Sequence, residues 1–428
     1  MTEWIEAAAV PQMLRPGMQV FVGGSVMEPL ALLAALKDAP EASCGVTYIT
    51  NPVPGLSRID YATFHPEARV ITNFMSDRMQ NSFAAGKIDF IPMQYHQRHF
   101  FVSGPLKIDV ALVQYGPPDE NGMCSPGYGI DFVPAVLERA KLVIAEINEA
   151  LPAPPHLPKT HISKFHYAVR SQTPLQLLRV VPVDEVSQKI GAHVAGLVRD
   201  GDCIETGVGA IPNAALAALG DRNDLGVHSG LISDGVMALA RAGVINGRRK
   251  NIDTGKIVTG IVAGSNELMQ WAGSCPDISY RTVDYTHDVA LLGGIDNFVA
   301  INGAVEVDLL GQLNSEMVGG RQISGTGGSV DFMRGALRSK GGRGIVAFTA
   351  TAAGGKISRI VPAITGDAVV TALRTDADYF VTEYGVAQVR GKPLQEAAEA
   401  LIAIAAPQFR DGLRDAWKAR LKRISGAG

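Results

Sequence analysis

Three glycine clusters are the places where this chain could cradle a reacting group. They are Val22-Gly23-Gly24-Ser25, Gly207-Val208-Gly209-Ala210-Ile211-Pro212 and Gly325-Thr326-Gly327-Gly328-Ser329. The first leads to a helical stretch from Pro29, and the second runs directly into one, with Pro212 at a first-turn position. The third precedes Val330-Asp331-Phe332. A glycine turn at a helix N-terminus leaves backbone N–H groups without helical partners and presents the positive end of the helix dipole. That suits a phosphate or the oxyanion of an acyl-transfer intermediate. A bare strand-to-helix turn is the plain alternative for each. No GxxxxGK[ST] pattern occurs, and GVGAIP lacks the third glycine of a dinucleotide fingerprint. Asp224 and Asp234 both follow it, so no single ribose-binding acid stands out, and a nicotinamide dehydrogenase is set aside. The closest histidine pairs, His96-Gln97-Arg98-His99 and His161…His166, lack the HExxH glutamate, and no metal is expected.

The elements that must position these turns alternate. Met18–Gly24, Val46–Thr50, Ala68–Thr72, Ile108–Tyr115 and Leu142–Ile147 read as strands, with helices at Pro29–Leu36 and Val133–Arg139. Such alternation predicts an α/β domain with a largely parallel sheet. Four prolines between Leu151 and Pro158 exclude a helix interior or central strand there. The second half repeats the style. Val186–Gly196 and Pro212–Leu219 read as helices, and Asp202–Thr206 leads into the second glycine turn. Asp288–Leu292, Val299–Leu309, Gly344–Thr349, Lys356–Val361 and Tyr379–Thr382 read as strands, and Glu396–Ile404 and Gln408–Ile424 as amphipathic helices. The expected domains are 1–184 and 185–428.

Composition narrows the class. The chain has 428 residues, 46% hydrophobic and 19% charged, which is ample for core in two domains. Its 47 glycines are roughly 11% against a typical ~7%, consistent with many tight turns. A net charge of −3 carries no nucleic-acid footprint. No apolar run approaches the length of a membrane span, and the acidic start Met1-Thr2-Glu3-Trp4-Ile5-Glu6 does not resemble a secretory signal. Cys44, Cys124, Cys203 and Cys275 lie far apart and read as thiols in a reducing compartment. The expectation is a cytoplasmic protein with no nucleic-acid or membrane partner.

Longer blocks carry a resemblance. Asp109-Val110-Ala111-Leu112 runs into Pro117-Pro118-Asp119 and Gly122, followed by Ile144-Ala145-Glu146-Ile147-Asn148. Then come GVGAIPNAALAAL (Gly207–Leu219), LGVHSGLISDGV (Leu225–Val236), AINGAVEVDLLGQLNSE (Ala300–Glu316), GTGGSVDFMRGALRSKGG (Gly325–Gly342), GGKISRIVP (Gly354–Pro362) and the stretch Val381–Arg410. In this order, across most of the chain, they resemble the acetyl-CoA hydrolase/transferase family, whose best-studied type is 4-hydroxybutyrate CoA-transferase. The resemblance implies two open, mostly parallel-sheet α/β domains with a CoA-binding cleft between them. It implies coenzyme A as substrate, no metal, an acyl-CoA and a small carboxylic acid as partners, and a homo-oligomer. It also carries over Gly207, Val208, Gly209, Ala210 and Ile211 as CoA-binding residues. Asn302, Gly325, Gly327 and Gly328 follow as further CoA contacts. Lys356 is available for phosphate or carboxylate, with surface solvation the equal alternative. Arg248-Arg249-Lys250 reads as a solvated basic loop that could also meet CoA phosphates.

Enzymes of this kind use a glutamate that attacks the thioester, because only an acyl-glutamyl anhydride keeps the acyl group activated. The family's motif reads His-Thr-Glu-Met; this chain reads His228-Ser229-Gly230-Leu231, with Gly230 in the glutamate's place. Three readings follow. A displaced carboxylate restores transfer, with Glu28 at a helix entrance after the first glycine turn as the leading candidate. There its alternative role is to complement the helix dipole. Asp60, Glu146, Glu306 and Glu383 are lesser candidates. In the second reading a carboxylate or His228 serves as general base for thioester hydrolysis. In the third the protein binds CoA without transferring it.

Overall fold

Alternating apolar and glycine-bounded runs build two units, each with its own parallel sheet. The computed structural model describes residues 1–53, 55–364 and 366–426. The first unit comprises Met1–Arg179 with Val258–Thr286, and the second Val180–Ile257 with His287–Gly428. The boundary expected at 184/185 lies five residues beyond the first crossing, at 179/180. The returning segment 258–286 is tied into the first unit by backbone bonds from Ile130 N–H to Gly260 O (3.1 Å) and Val262 N–H to Tyr128 O (2.8 Å).

The first unit's sheet uses β1 (Glu3–Trp4), β2 (Gln19–Val22), β3 (Thr47–Ile49), β4 (Arg69–Thr72), β5 (Ile88–Phe90), β6 (Val110–Tyr115), β7 (Leu142–Asn148) and β8 (Tyr167–Ser171). Their order is β1-β8-β7-β6-β2-β3-β4-β5, with parallel pairings throughout. Central β6, VALVQY, is buried at all six positions, as expected of a parallel strand covered on both faces. Helix α1 (Leu30–Asp38) buries Leu32, Leu33 and Leu36, the stripe expected at helical spacing. Pro29 supplies no side-chain cap, and Glu146 on β7 does that work. Its carboxylate accepts the N–H groups of Ala31 (2.8 Å) and Leu32 (3.4 Å).

In the second unit α2 (Glu185–Ala195) and α3 (Ala210–Ala217) pack closely. A Cβ on Gly191 would lie 2.6 Å from the Ala214 carbonyl carbon, so small residues set this approach. The strands are β9 (Cys203–Thr206), β10 (Gly226–His228), β11 (Phe298–Asn302), β12 (Arg343–Ala347), β13 (Tyr379–Thr382) and β14 (Gly385–Gln388). Within the unit they run β10-β9-β11-β12-β13-β14, parallel except for the final antiparallel pair. One face carries α4 (Val289–Gly294) and α5 (Ser329–Arg338), whose Leu292, Phe332 and Ala336 pack with Cys203, Phe298 and Ala300. The chain closes with α6 (Leu394–Ala403) and α7 (Arg410–Ile424).

Two sequence expectations are corrected. Asp288–Leu292 begins a helix, not a strand, because the Asp288 carboxylate accepts the N–H groups of Ala290 (2.6 Å) and Leu291 (2.8 Å) as an N-cap. Val299–Leu309 is broken at 303–305 into β11 and a short strand Glu306–Asp308, which pairs with Leu313–Asn314 instead of the main sheet.

Candidate active site

The second glycine turn begins where β9 ends. Gly209 has φ +132°, a conformation that L side chains rarely adopt, and it stands immediately before α3. A Cβ on Gly207 would meet nothing within 4 Å. The turn therefore swings from strand to helix with its backbone uncovered. It lines a cavity of about 460 Å³ at the carboxyl ends of β9, β11 and β12, where ligands bind in open α/β sheets. Gly207, Val208, Gly209, Ala210 and Ile211 form one wall, with Asn302 and the 303–304 turn opposite. Asp184 and Ser187, at the start of α2, and Arg359 complete the polar lining. The structure thus brings together six of the residues proposed from sequence.

The remaining carried-over positions lie elsewhere. Lys356 is exposed next to the two-residue strand Ile357–Ser358, three residues before the cavity-lining Arg359. Arg359 is the cation that sequence reasoning missed. Both residues stand in GKISRIVP, and only the packing distinguishes them. Burial pulls the Arg359 guanidinium down from its ordinary value, and nearby Glu383 opposes that shift. The Gly325–Gly328 loop is anchored by Glu316, which accepts the Thr326 hydroxyl (3.2 Å). Gly328 is pressed against His287, where a Cβ would fall 2.4 Å from Nε2.

His287 also fills the space beside Gly230. A Cβ on Gly230 would lie 2.7 Å from His287 Cε1, with Phe332 at 3.6 Å. The imidazole, buried and 4.5 Å from the Phe332 ring centroid, thus crowds the space into which a side chain at 230 would project. His228 is fully buried on β10, its ring edge-on to Phe298 at 6.4 Å.

The carboxylates divide by how fully they are engaged. In the first unit, Glu28 is 1% exposed. Its two oxygens accept from Tyr61 Oη (3.0 Å) and Gln176 Nε2 (3.2 Å). Burial raises its pKa to about 7, against the opposing hydrogen bonds of Gln176, Tyr61 and Ser57. Glu146 holds α1 and also accepts from Ser171 and Thr173, both at 2.7 Å. Asp60 accepts from the Ala62 N–H (3.1 Å) and Ser82 (2.5 Å). In the second unit, Glu306 accepts from Asn314 (3.0 Å), and Glu383 from the Ala350 N–H (2.9 Å).

Glu205 was not among the candidates. It lies on β9, two residues before Gly207, and is 3% exposed. Its Oε2 accepts from Nδ2 of the cavity residue Asn302 at 2.8 Å. Burial pushes its carboxyl up to about 8, against the pull of the Asn302 side chain and the Ile301 backbone. The available signal was a charged residue inside the short strand that feeds the glycine turn.

Two parallel-sheet units, the second carrying a glycine turn beside a strand-end cavity, define an α/β protein. Residues 2–171 match the acetyl-CoA hydrolase/transferase N-terminal domain, and residues 264–417 match the C-terminal domain. The chain is 38% identical to the 4-hydroxybutyrate coenzyme A transferase of Clostridium kluyveri, over 94% of each chain. Among solved structures, RipA from Yersinia pestis superposes with a TM-score of 0.89 at 31% identity, covering 98% of this chain and 97% of that one. A 4-hydroxybutyrate CoA-transferase from Porphyromonas gingivalis does so with a TM-score of 0.80 at 33% identity, covering 98% of both. The chain belongs to the acetyl-CoA hydrolase/transferase family.

Proposed function

We propose that this protein moves coenzyme A between a short-chain acyl-CoA and a carboxylic acid. The observation that carries the reading is the Gly207–Ile211 turn. It is the segment whose resemblance implied CoA contact, and it lines a strand-end cavity in a chain of this family. Uncovered N–H groups at the start of α3 suit the oxyanion of a tetrahedral intermediate or a CoA phosphate. Arg359 adds a cation in the same cavity. The acid named for two of the relatives above is 4-hydroxybutyrate, which makes a short hydroxy or unsubstituted acid the first acceptor to try.

Transfer proceeds in two half-reactions that share an enzyme carboxylate. The donor acyl group leaves CoA as an anhydride, CoA is carried as an enzyme thioester, and the acceptor reverses both steps. Glu28, as displaced nucleophile, and His228, as base for water, are the candidates that the sequence offers for this chemistry. Incubation with an acyl-CoA panel, with and without acids, tests the reading. New acyl-CoA formed only when an acid is present supports transfer. Thiol released without any acid indicates a hydrolase, and a melting-temperature rise with CoA but no turnover indicates a binding protein.

A further inference from the structure

We propose that Glu205 is the nucleophile of the transfer reaction, its carboxylate standing one strand away from the position that Gly230 leaves empty. The proposal rests on the transferase reading above and names the group that performs it. Parallel pairing sets Cys203 opposite Gly226 and Ile204 opposite Val227. One further step in that register places Glu205 beside His228, two residues before Gly230. On the other side Glu205 pairs with Ala300, and Asn302 follows two residues later on the same face.

That face is the one covered by α5. Cys203, Ala300 and Phe332 pack together on it, and a side chain at 230 would also project toward Phe332. Side chains at 205 and 230 would therefore rise on the same side, the second from the bend two residues beyond the end of β10. β9 and β10 are neighbours roughly 4.8 Å apart, and Gly230 lies two residues, up to roughly 6.6 Å, further along, so the two positions are separated by about 8 Å or less. The direct position is blocked by His287, and the neighbouring strand supplies an acid where an ordinary buried strand would carry an apolar residue.

Its surroundings favour Glu205 over Glu28. The Glu28 carboxylate is held through both oxygens by Tyr61 and Gln176, and Ser57 adds a further hydrogen bond. Asn302 is the side chain that holds Glu205, and Asn302 itself lines the cavity. Rotation of that amide toward a bound thioester leaves the carboxylate with the Ile301 backbone alone, beside the site that the glycine turn borders. A carboxylate kept largely protonated until substrate arrives also predicts activity that climbs with pH toward about 8.

The chemistry balances with no further reagent. A Glu205 oxygen bonds to the thioester carbonyl carbon, and the C–S bond breaks, leaving an acyl-glutamyl anhydride and CoA thiolate. The thiolate attacks the glutamyl carbonyl, and the donor acid leaves as its carboxylate, giving glutamyl-CoA. The acceptor carboxylate displaces the thiolate to form the second anhydride. Thiolate attack on its acyl carbon then releases product and regenerates Glu205.

The test is active-site trapping. The protein is incubated with butyryl-CoA, reduced with borohydride, digested and sequenced by mass spectrometry, alongside Glu205→Gln and Glu205→Asp. The expected result is reduction at Glu205 in the native chain. Glu205→Gln should lose turnover by about 10³-fold or more while its CoA affinity, read by calorimetry, stays within a few fold. Glu205→Asp, which keeps a carboxylate on a shorter arm, should retain a measurable fraction. An adduct at Glu28 or another acid, or a fully active Glu205→Gln, overturns the assignment and leaves the transferase reading standing. Acid-independent thiol release with no adduct anywhere overturns both.

Discussion

Glu205→Gln has a consequence that can be read without any substrate. Burial pushes the native carboxyl up to about 8 in the folded chain, against an ordinary value of 4.5. Between those values the unfolded chain has lost its proton and the folded chain keeps it, so stability falls as pH rises. The contribution is complete below the unfolded value and lost as pH climbs through the folded one. From pH 5.5 to pH 8.5 the linkage relation gives a loss of about 3 kcal/mol for this single group. Glutamine has the same shape, still accepts the Asn302 amide through its carbonyl, and does not titrate. Every other group contributes equally to both proteins, so the difference between their stabilities isolates position 205. Urea unfolding monitored by tryptophan fluorescence at pH 5.5, 7 and 8.5 measures it. The advantage of Glu205→Gln should grow by about 3 kcal/mol across that range. A difference that stays flat within about 1 kcal/mol would refute the picture of a buried, largely uncompensated carboxylate.

Three further outcomes follow from the same geometry. Gly209→Ala forces an alanine toward φ +132° at the entrance to α3, a strain of roughly 1–3 kcal/mol; calorimetry should show CoA binding at least several fold weaker, and unchanged affinity would remove the turn from the site. Gly230→Glu would put a Cβ 2.7 Å from His287 Cε1, an overpacking cost of roughly 1–3 kcal/mol; it should lower the melting temperature and add no turnover, and a stable, more active variant would contradict the crowding argument. Arg359→Ala removes the cavity cation, which in a charge-assisted bond to phosphate or carboxylate contributes roughly 1.5–3 kcal/mol. The dissociation constant for CoA should rise about tenfold or more, with a shallower dependence on salt.

Much of the fold was legible because the signals were local. In VALVQY and its neighbours apolar residues run continuously, as strands buried on both faces require, and the glycine turn between β9 and α3 is written in residues 207–212. The misreadings were also local. Val289-Ala290-Leu291-Leu292 has the apolar density of a strand, and one capping aspartate at 288 decides for a helix. The run from Val299 to Leu309 looks like one strand until Gly303 turns the chain out of the sheet. In such short segments a single side-chain hydrogen bond or turn residue outweighs average propensity.

The site was legible to a different depth. Backbone-determined parts, the turn at 207–211 and Asn302 at the end of β11, could be named from their residue types and order. Side-chain parts could not, because they depend on register between distant strands. Lys356 and Arg359 are equally cationic in sequence, and only the packing turns Arg359 into the cavity. Gly230 stands where the resemblance implies a glutamate, and the imidazole that crowds its space, His287, comes from 57 positions further along the chain. Glu205 escaped for the same reason: alone in CIET it is an unremarked acid, and it gains meaning once β11 brings Asn302 beside it and β10 brings His228. A buried acid on β9 and a glycine two residues beyond the end of β10 come into relation once the strands are paired. The two positions should therefore be coupled: Gly230→Glu combined with His287→Ala should relieve the crowding and make turnover less sensitive to Glu205→Gln, and equal sensitivity in both backgrounds would refute the assignment.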